Sequence, residues 1–259
     1  MNIAVRTGGD FMSRIQLYVQ SGCSSCLRAK EFLGKTVDDF DVFDIANDPA
    51  AFDRLEARGI STVPVVLVDD EYCFAQDVAV LAEFLGVAAT AHSLTPETLL
   101  ERYDRALSLA IDLIRQVPDD LFIERAIATR DRSVGLLGHH VLNVADRMVA
   151  GLDTGHWVKS TPILPGDMNN ADDVARYGDE TRAKLRMFAA RAEDFAFRSP
   201  IRTYYGNPSA HYLLERSVWH SVHHMRQLRE VLEQHGIVPA AAIDAALTSG
   251  LPMPDGVWD

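Results

Sequence analysis

The spacing of apolar residues changes character once along this chain, near Gly86, and that change limits what the chain can fold into. Up to Gly86, short runs of strand-like alternation are separated by stretches of helical spacing; beyond it only helical spacing recurs. Alternating strands and helices bury themselves as a layered α/β unit, whereas long amphipathic helices bury their apolar stripes against one another. At 259 residues the chain is long enough for two such units. The reading is therefore α/β followed by all-α, with an α/β domain at residues 13–86, a small-residue linker at 87–94, a helical domain at 95–237 and a C-terminal extension at 238–259.

In the first part, Arg14 to Val19 alternates as a strand, Ser21-Gly22 breaks it, and Cys23 to Leu33 has helical spacing. Asp41 to Ile45 predicts a second strand, and Asn47-Asp48-Pro49 starts a helix that stops at Gly59. Thr62 to Val68 predicts a buried strand entered through Pro64, a place where proline is tolerated. A turn at Asp69-Asp70-Glu71, a short strand at Tyr72 to Phe74 and a helix from Asp77 to Phe84 complete a βαβαββα order. That order implies a small mixed sheet with helices on both faces. In the second part, four helices are expected at about 96–117, 132–151, 171–198 and 209–235, with no strand. Their longer second connection points to a four-helix bundle.

The chain has three cysteines, and Cys23 and Cys26 form a C-x-x-C at the junction of strand and helix. Unpaired backbone N–H groups at a helix start favour an anion, so the Cys23 thiol is expected below its free value of about 8.5. Cys26, one turn deeper, is within reach of a mixed disulfide on Cys23, which makes Cys23 the nucleophile and Cys26 the resolving thiol. Val63-Pro64, at the entrance of the third strand, is where a cis peptide would expose backbone groups to an extended substrate. A zinc site would need four ligands, and only Cys73 remains to supply sulfur; Cys73 itself reads as a small core residue.

Cys23-Ser24-Ser25-Cys26, the following Leu27 to Leu33, and Thr62-Val63-Pro64-Val65-Val66 resemble glutaredoxin, within the thioredoxin-like fold. The resemblance implies thiol–disulfide exchange with glutathione or another low-molecular-weight thiol at Cys23. It further implies that the backbone of Val63, beside Pro64, holds that thiol, with Asp77 near a cofactor amine.

Six of the nine histidines lie on or beside the second and fourth expected helices. His220 and His224, four apart, share a face and can converge on one ion, which leaves His223 pointing elsewhere. On the second helix, His140 lies closer than His139 to the apolar stripe of Val134, Leu137, Val141, Val144 and Met148, so His140 is the expected third ligand and His139 the fallback. Three neutral imidazoles leave a divalent ion its full charge and an open position, as catalytic sites do; zinc, nickel or iron would suit them. The His220-to-His224 spacing lacks the glutamate that a zinc peptidase uses as base. One histidine on the second helix, with H-x-x-x-H and Met225-Arg226-Gln227-Leu228 on the fourth, resembles the DinB-like family of metal-binding four-helix bundles. That resemblance implies thiol-dependent transfer or isomerisation, in which a divalent ion activates the thiol of a low-molecular-weight cofactor.

Charge bears on partners. A net charge of −12 argues against a nucleic-acid backbone or an acidic membrane as the main partner. The first dozen residues hold no apolar core of a secretory signal, and no run reaches the length of a membrane span, so a cytoplasmic protein is expected. Its partners would be a small thiol, a small-molecule substrate and, through the helical surfaces, a second copy in a homodimer. Two function classes follow: a thiol–disulfide oxidoreductase joined to a metal-dependent thiol transferase, or a redox- or metal-responsive ligand-binding protein without turnover.

Overall fold

The computed structural model describes residues 14–88, 94–158, 163–240 and 242–258; most of the expected linker lies outside them. Of the described residues, 14–88 together with 254–258 form one compact unit, and those between 94 and 253 the other.

The first unit is built from β1 (Ile15–Val19), α1 (Ser24–Thr36), β2 (Asp41–Asp44), α2 (Pro49–Glu56), β3 (Val65–Val68), β4 (Glu71–Phe74) and α3 (Val78–Leu85). The strands lie in the order β2-β1-β3-β4, with β1 parallel to β2 and antiparallel to β3, and β4 antiparallel to β3. Because alternate residues of a strand face opposite sides, this sheet has two cores. Leu17, Val19 and Val66 pack with Cys26, Ala29 and Leu33 of α1 and Leu81 of α3 on one face. Tyr18, Val65 and Leu67 pack with Ala51 and Leu55 of α2 on the other. Each helix has a side-chain cap, from Cys23, Asp48 and Asp77 in turn. The chain's last residues belong to this unit: Glu31 on α1 accepts the backbone N–H groups of Asp255 (2.7 Å) and Gly256 (2.9 Å), and Lys35 pairs with Asp255.

The second unit is mainly helical. Its long helices are α4 (Pro96–Ile114), α6 (Val134–Thr154), α7 (Ala171–Ala189) and α8 (Ala210–Gln234). Thr95, Ser133, Asn170 and Ser209 cap them, each side chain accepting the backbone N–H three residues on. Both α4 and α6 pack against α7 and α8, so the four close around a shared core that includes Tyr103, Leu107, Leu142 and Trp219. Gly178 permits the closest approach of α7: a Cβ there would stand 2.7 Å from Ile111 and 2.9 Å from Leu142.

The structure departs from the expected helices in two places. Between α5 (Asp119–Ile123) and α6 the chain forms an antiparallel hairpin, β5 (Arg125–Ile127) with β6 (Arg130–Ser133), where no strand was expected. Its alternation is hidden by arginines on both strands, and its pairing is made by backbone groups that a side-chain pattern does not report. The third long helix also ends at Ala189, short of residue 198, because Phe195 and Phe197 turn back to pack edge-on against Phe188. A short α9 (Ala245–Thr248) follows within the segment read as an extension.

Candidate thiol and histidine sites

The turn from β1 into α1 sets up the thiol pair. Gly22 takes a left-handed φ of 69°, which places Cys23 as the N-cap of α1. The Cys23 Sγ accepts the backbone N–H of Cys26 at 3.4 Å, so the sulfur sits where the helix presents its unpaired donors. Cys23 is half-buried and Cys26 fully buried, an asymmetry that gives an outside molecule access to Cys23 first.

Val63–Pro64 is a cis peptide, and Val63 packs on the same core cluster as Cys23, which brings the two segments together. A residue that the sequence reading did not single out supports this loop. Gln76, almost completely buried, donates its side-chain N–H to the Val63 carbonyl at 3.0 Å. Asp77 caps α3, its carboxylate accepting the Ala79 N–H at 2.8 Å. Burial, helped by the Asp77 charge, pushes the Cys73 thiol up to about 11, so this buried cysteine sits in the core as a neutral thiol.

The histidine cluster forms between α6 and α8. His220 Nε2 lies 3.2 Å from His140 Nε2 and 3.2 Å from His224 Nε2. One nitrogen from each of the three falls within 4.8 Å of the others. Burial pushes all three well below the ordinary imidazole range, and the positive charge of Arg132 acts in the same direction on each. The rings are therefore neutral.

Gln227, one turn further along α8 and buried, supplies the proton bookkeeping. Its Oε1 lies 2.6 Å from His224 Nδ1, and an amide oxygen only accepts, so the His224 proton sits on Nδ1 and its Nε2 carries a lone pair. A single proton on His220 Nε2 would serve one of its two neighbours and leave the other contact unbridged. A cation removes the conflict. Zinc–nitrogen bonds of about 2.0–2.1 Å at tetrahedral angles put ligand nitrogens about 3.3 Å apart, close to the separation seen here. The donor set thus fits one divalent ion.

The register of the two helices is pinned beside these residues. Ser221 Oγ donates to the Val141 carbonyl at 2.8 Å and meets the Tyr103 hydroxyl at 2.9 Å, which ties α8, α6 and α4 together next to His140 and His220. The other histidines have different surroundings. His223, fully buried, meets the Gln227 amide nitrogen at 3.3 Å. His211 meets the Leu94 carbonyl and His235 the Val231 carbonyl. His139, the fallback ligand, stands apart from the cluster and packs against the ring of Tyr177 on α7.

No curated protein matches this chain. Among the described residues no helix is long and apolar enough to cross a membrane. Residues 15–73 match the family model for glutaredoxin, a span that runs from β1 into β4 and holds both cysteines and the Val63–Pro64 bond; with its mixed sheet and flanking helices, this part of the chain fits a thioredoxin-like fold.

Proposed function

We propose that the chain is a cytoplasmic thiol–disulfide oxidoreductase of the glutaredoxin kind, joined to a DinB-like four-helix bundle that binds a divalent metal ion and acts in thiol-dependent transfer or isomerisation. For the first half, the family match and the half-buried Cys23 at a helix N-terminus support the reading. The backbone N–H of Cys26 and the start of α1 favour the thiolate of Cys23. That thiolate attacks one sulfur of a substrate disulfide, forming a mixed disulfide and releasing the other sulfur as a thiolate. Cys26 then attacks the Cys23 sulfur, closing the Cys23–Cys26 disulfide and releasing the second substrate thiolate. Two molecules of glutathione or another low-molecular-weight thiol return the pair to the reduced state and leave as their own disulfide.

For the second half, the observation that carries the reading is the convergence of three neutral imidazoles, with His220 Nε2 3.2 Å from the Nε2 of both His140 and His224 and all three within 4.8 Å of one another. His140, His220 and His224 would hold the ion, zinc, nickel or iron. When bound, such an ion lowers the pKa of a coordinated thiol or water. Gln227 keeps the His224 lone pair pointed inward, and the arginines that act on the cluster, Arg132 and Arg216, bias it toward an anion such as a thiolate.

The test has two independent readouts. Protein purified without added metal is expected to carry one equivalent of a divalent ion that His220→Ala lacks; no ion in either would end the metal half. Glutathione-driven reduction of a small disulfide is expected to vanish in Cys23→Ser, and its persistence would end the thiol half.

A further inference from the structure

His139 leads to a second feature of the helical unit. It lines a cavity of about 240 Å³ formed by α6, α7 and the segment 163–168, together with Asp146, Arg147, Tyr177 and an apolar wall of Pro165 and Met168. His139 is 7% exposed, and its ring packs against Tyr177 on the wall of this cavity.

The charges of the cavity do not cancel. Asp146 is paired with Lys184 at 2.6 Å, and Tyr177 receives the Asn143 side-chain N–H at 3.0 Å, so these groups already have partners. Arg147 makes no ion pair with a described residue, which leaves one positive charge in excess. An arginine and an imidazole beside an apolar wall match a molecule with a single carboxylate and a short hydrocarbon body.

We propose that this cavity is a binding site for a small aliphatic monocarboxylate, its carboxylate held by Arg147 and His139 and its chain lying against Pro165 and Met168. The site is separate from the histidine cluster, because the adjacent His139 and His140 turn to different neighbours. It does not depend on a metal ion.

Hexanoate is the probe, followed by ligand-observed NMR on the full chain, once after chelator treatment and once after zinc loading. Hexanoate is expected to bind equally in both states, and 1-hexanol at least about tenfold more weakly, as loss of a charge-assisted hydrogen bond requires. Arg147→Leu is expected to weaken hexanoate by a similar factor, while Arg147→Lys retains most of the binding and shows that the position tolerates change. The proposal fails if the intact protein does not bind hexanoate, if hexanol binds as well, or if Arg147→Leu is without effect in a folded protein. It also fails if binding appears only with zinc and disappears in His220→Ala, which would assign the carboxylate to the histidine cluster.

Discussion

Replacing Gln227 with leucine probes how the histidine cluster is oriented. In the native protein the Gln227 Oε1 accepts the His224 Nδ1 proton at 2.6 Å, and both side chains are about 1% exposed. Leucine is similar in bulk and removes the acceptor. Without an ion, the neutral ring can escape the loss by moving its proton to Nε2. With an ion on Nε2 it cannot, and a buried N–H without a partner costs about 1–3 kcal/mol. The penalty therefore falls on the metal-bound form. At about 1.4 kcal/mol per tenfold it corresponds to zinc affinity weakened about 5- to 150-fold, in line with losses typical of groups that orient metal ligands. Competition against a chromophoric chelator measures it, with His220→Ala as the loss-of-ligand reference and Gln227→Glu, which keeps an acceptor, expected to hold zinc at least as well as leucine. A thermal melt of the metal-free variant checks that the fold survives. An affinity for Gln227→Leu within about twofold of the unaltered protein, with His220→Ala still impaired, would refute the role assigned to this hydrogen bond.

Limited treatment with iodoacetamide near neutral pH is expected to modify Cys23 first and to spare Cys73 in folded protein; peptide mapping that finds both labelled at one rate would contradict the assignment. Cys73 also predicts an alkaline instability. Its folded value of about 11 lies above that of a free thiol, so the unfolded chain loses the proton first, and the stability contributed by the neutral thiol is lost as pH rises through the free-thiol value toward about 11. Cys73→Ala should flatten that part of the stability–pH curve in denaturant titrations, and an unchanged slope would count against it. Gly178→Ala forces a Cβ against Ile111 and Leu142, both almost fully buried, and should cost about 1–3 kcal/mol of stability by overpacking, read as a lowered denaturant midpoint.

The α/β order of the first unit was legible because its strands are short alternating or continuously apolar runs bounded by turn signals and each of its helices opens on a capping residue; Cys23, Asp48 and Asp77 all cap as their positions in the sequence imply. The β5–β6 hairpin was not, since its pairing is a matter of backbone groups and its arginines fit a helix face as well as a strand. The same division runs through the histidine cluster. His220 and His224 could be paired from spacing alone, because four residues along one helix bring two rings to one face wherever that helix lies. His140 was favoured over His139 by its nearness to an apolar stripe, and in the structure it is His140 that meets His220 and His224. What no pattern along the chain conveys is the proton on His224. That depends on Gln227 being buried at the right height on α8, with its amide nitrogen turned toward His223 and its oxygen therefore toward His224. Spacing places candidate ligands, but only packing decides which nitrogen of each ring is left with a lone pair to offer, and so whether three histidines form a cation site or three separate hydrogen bonds.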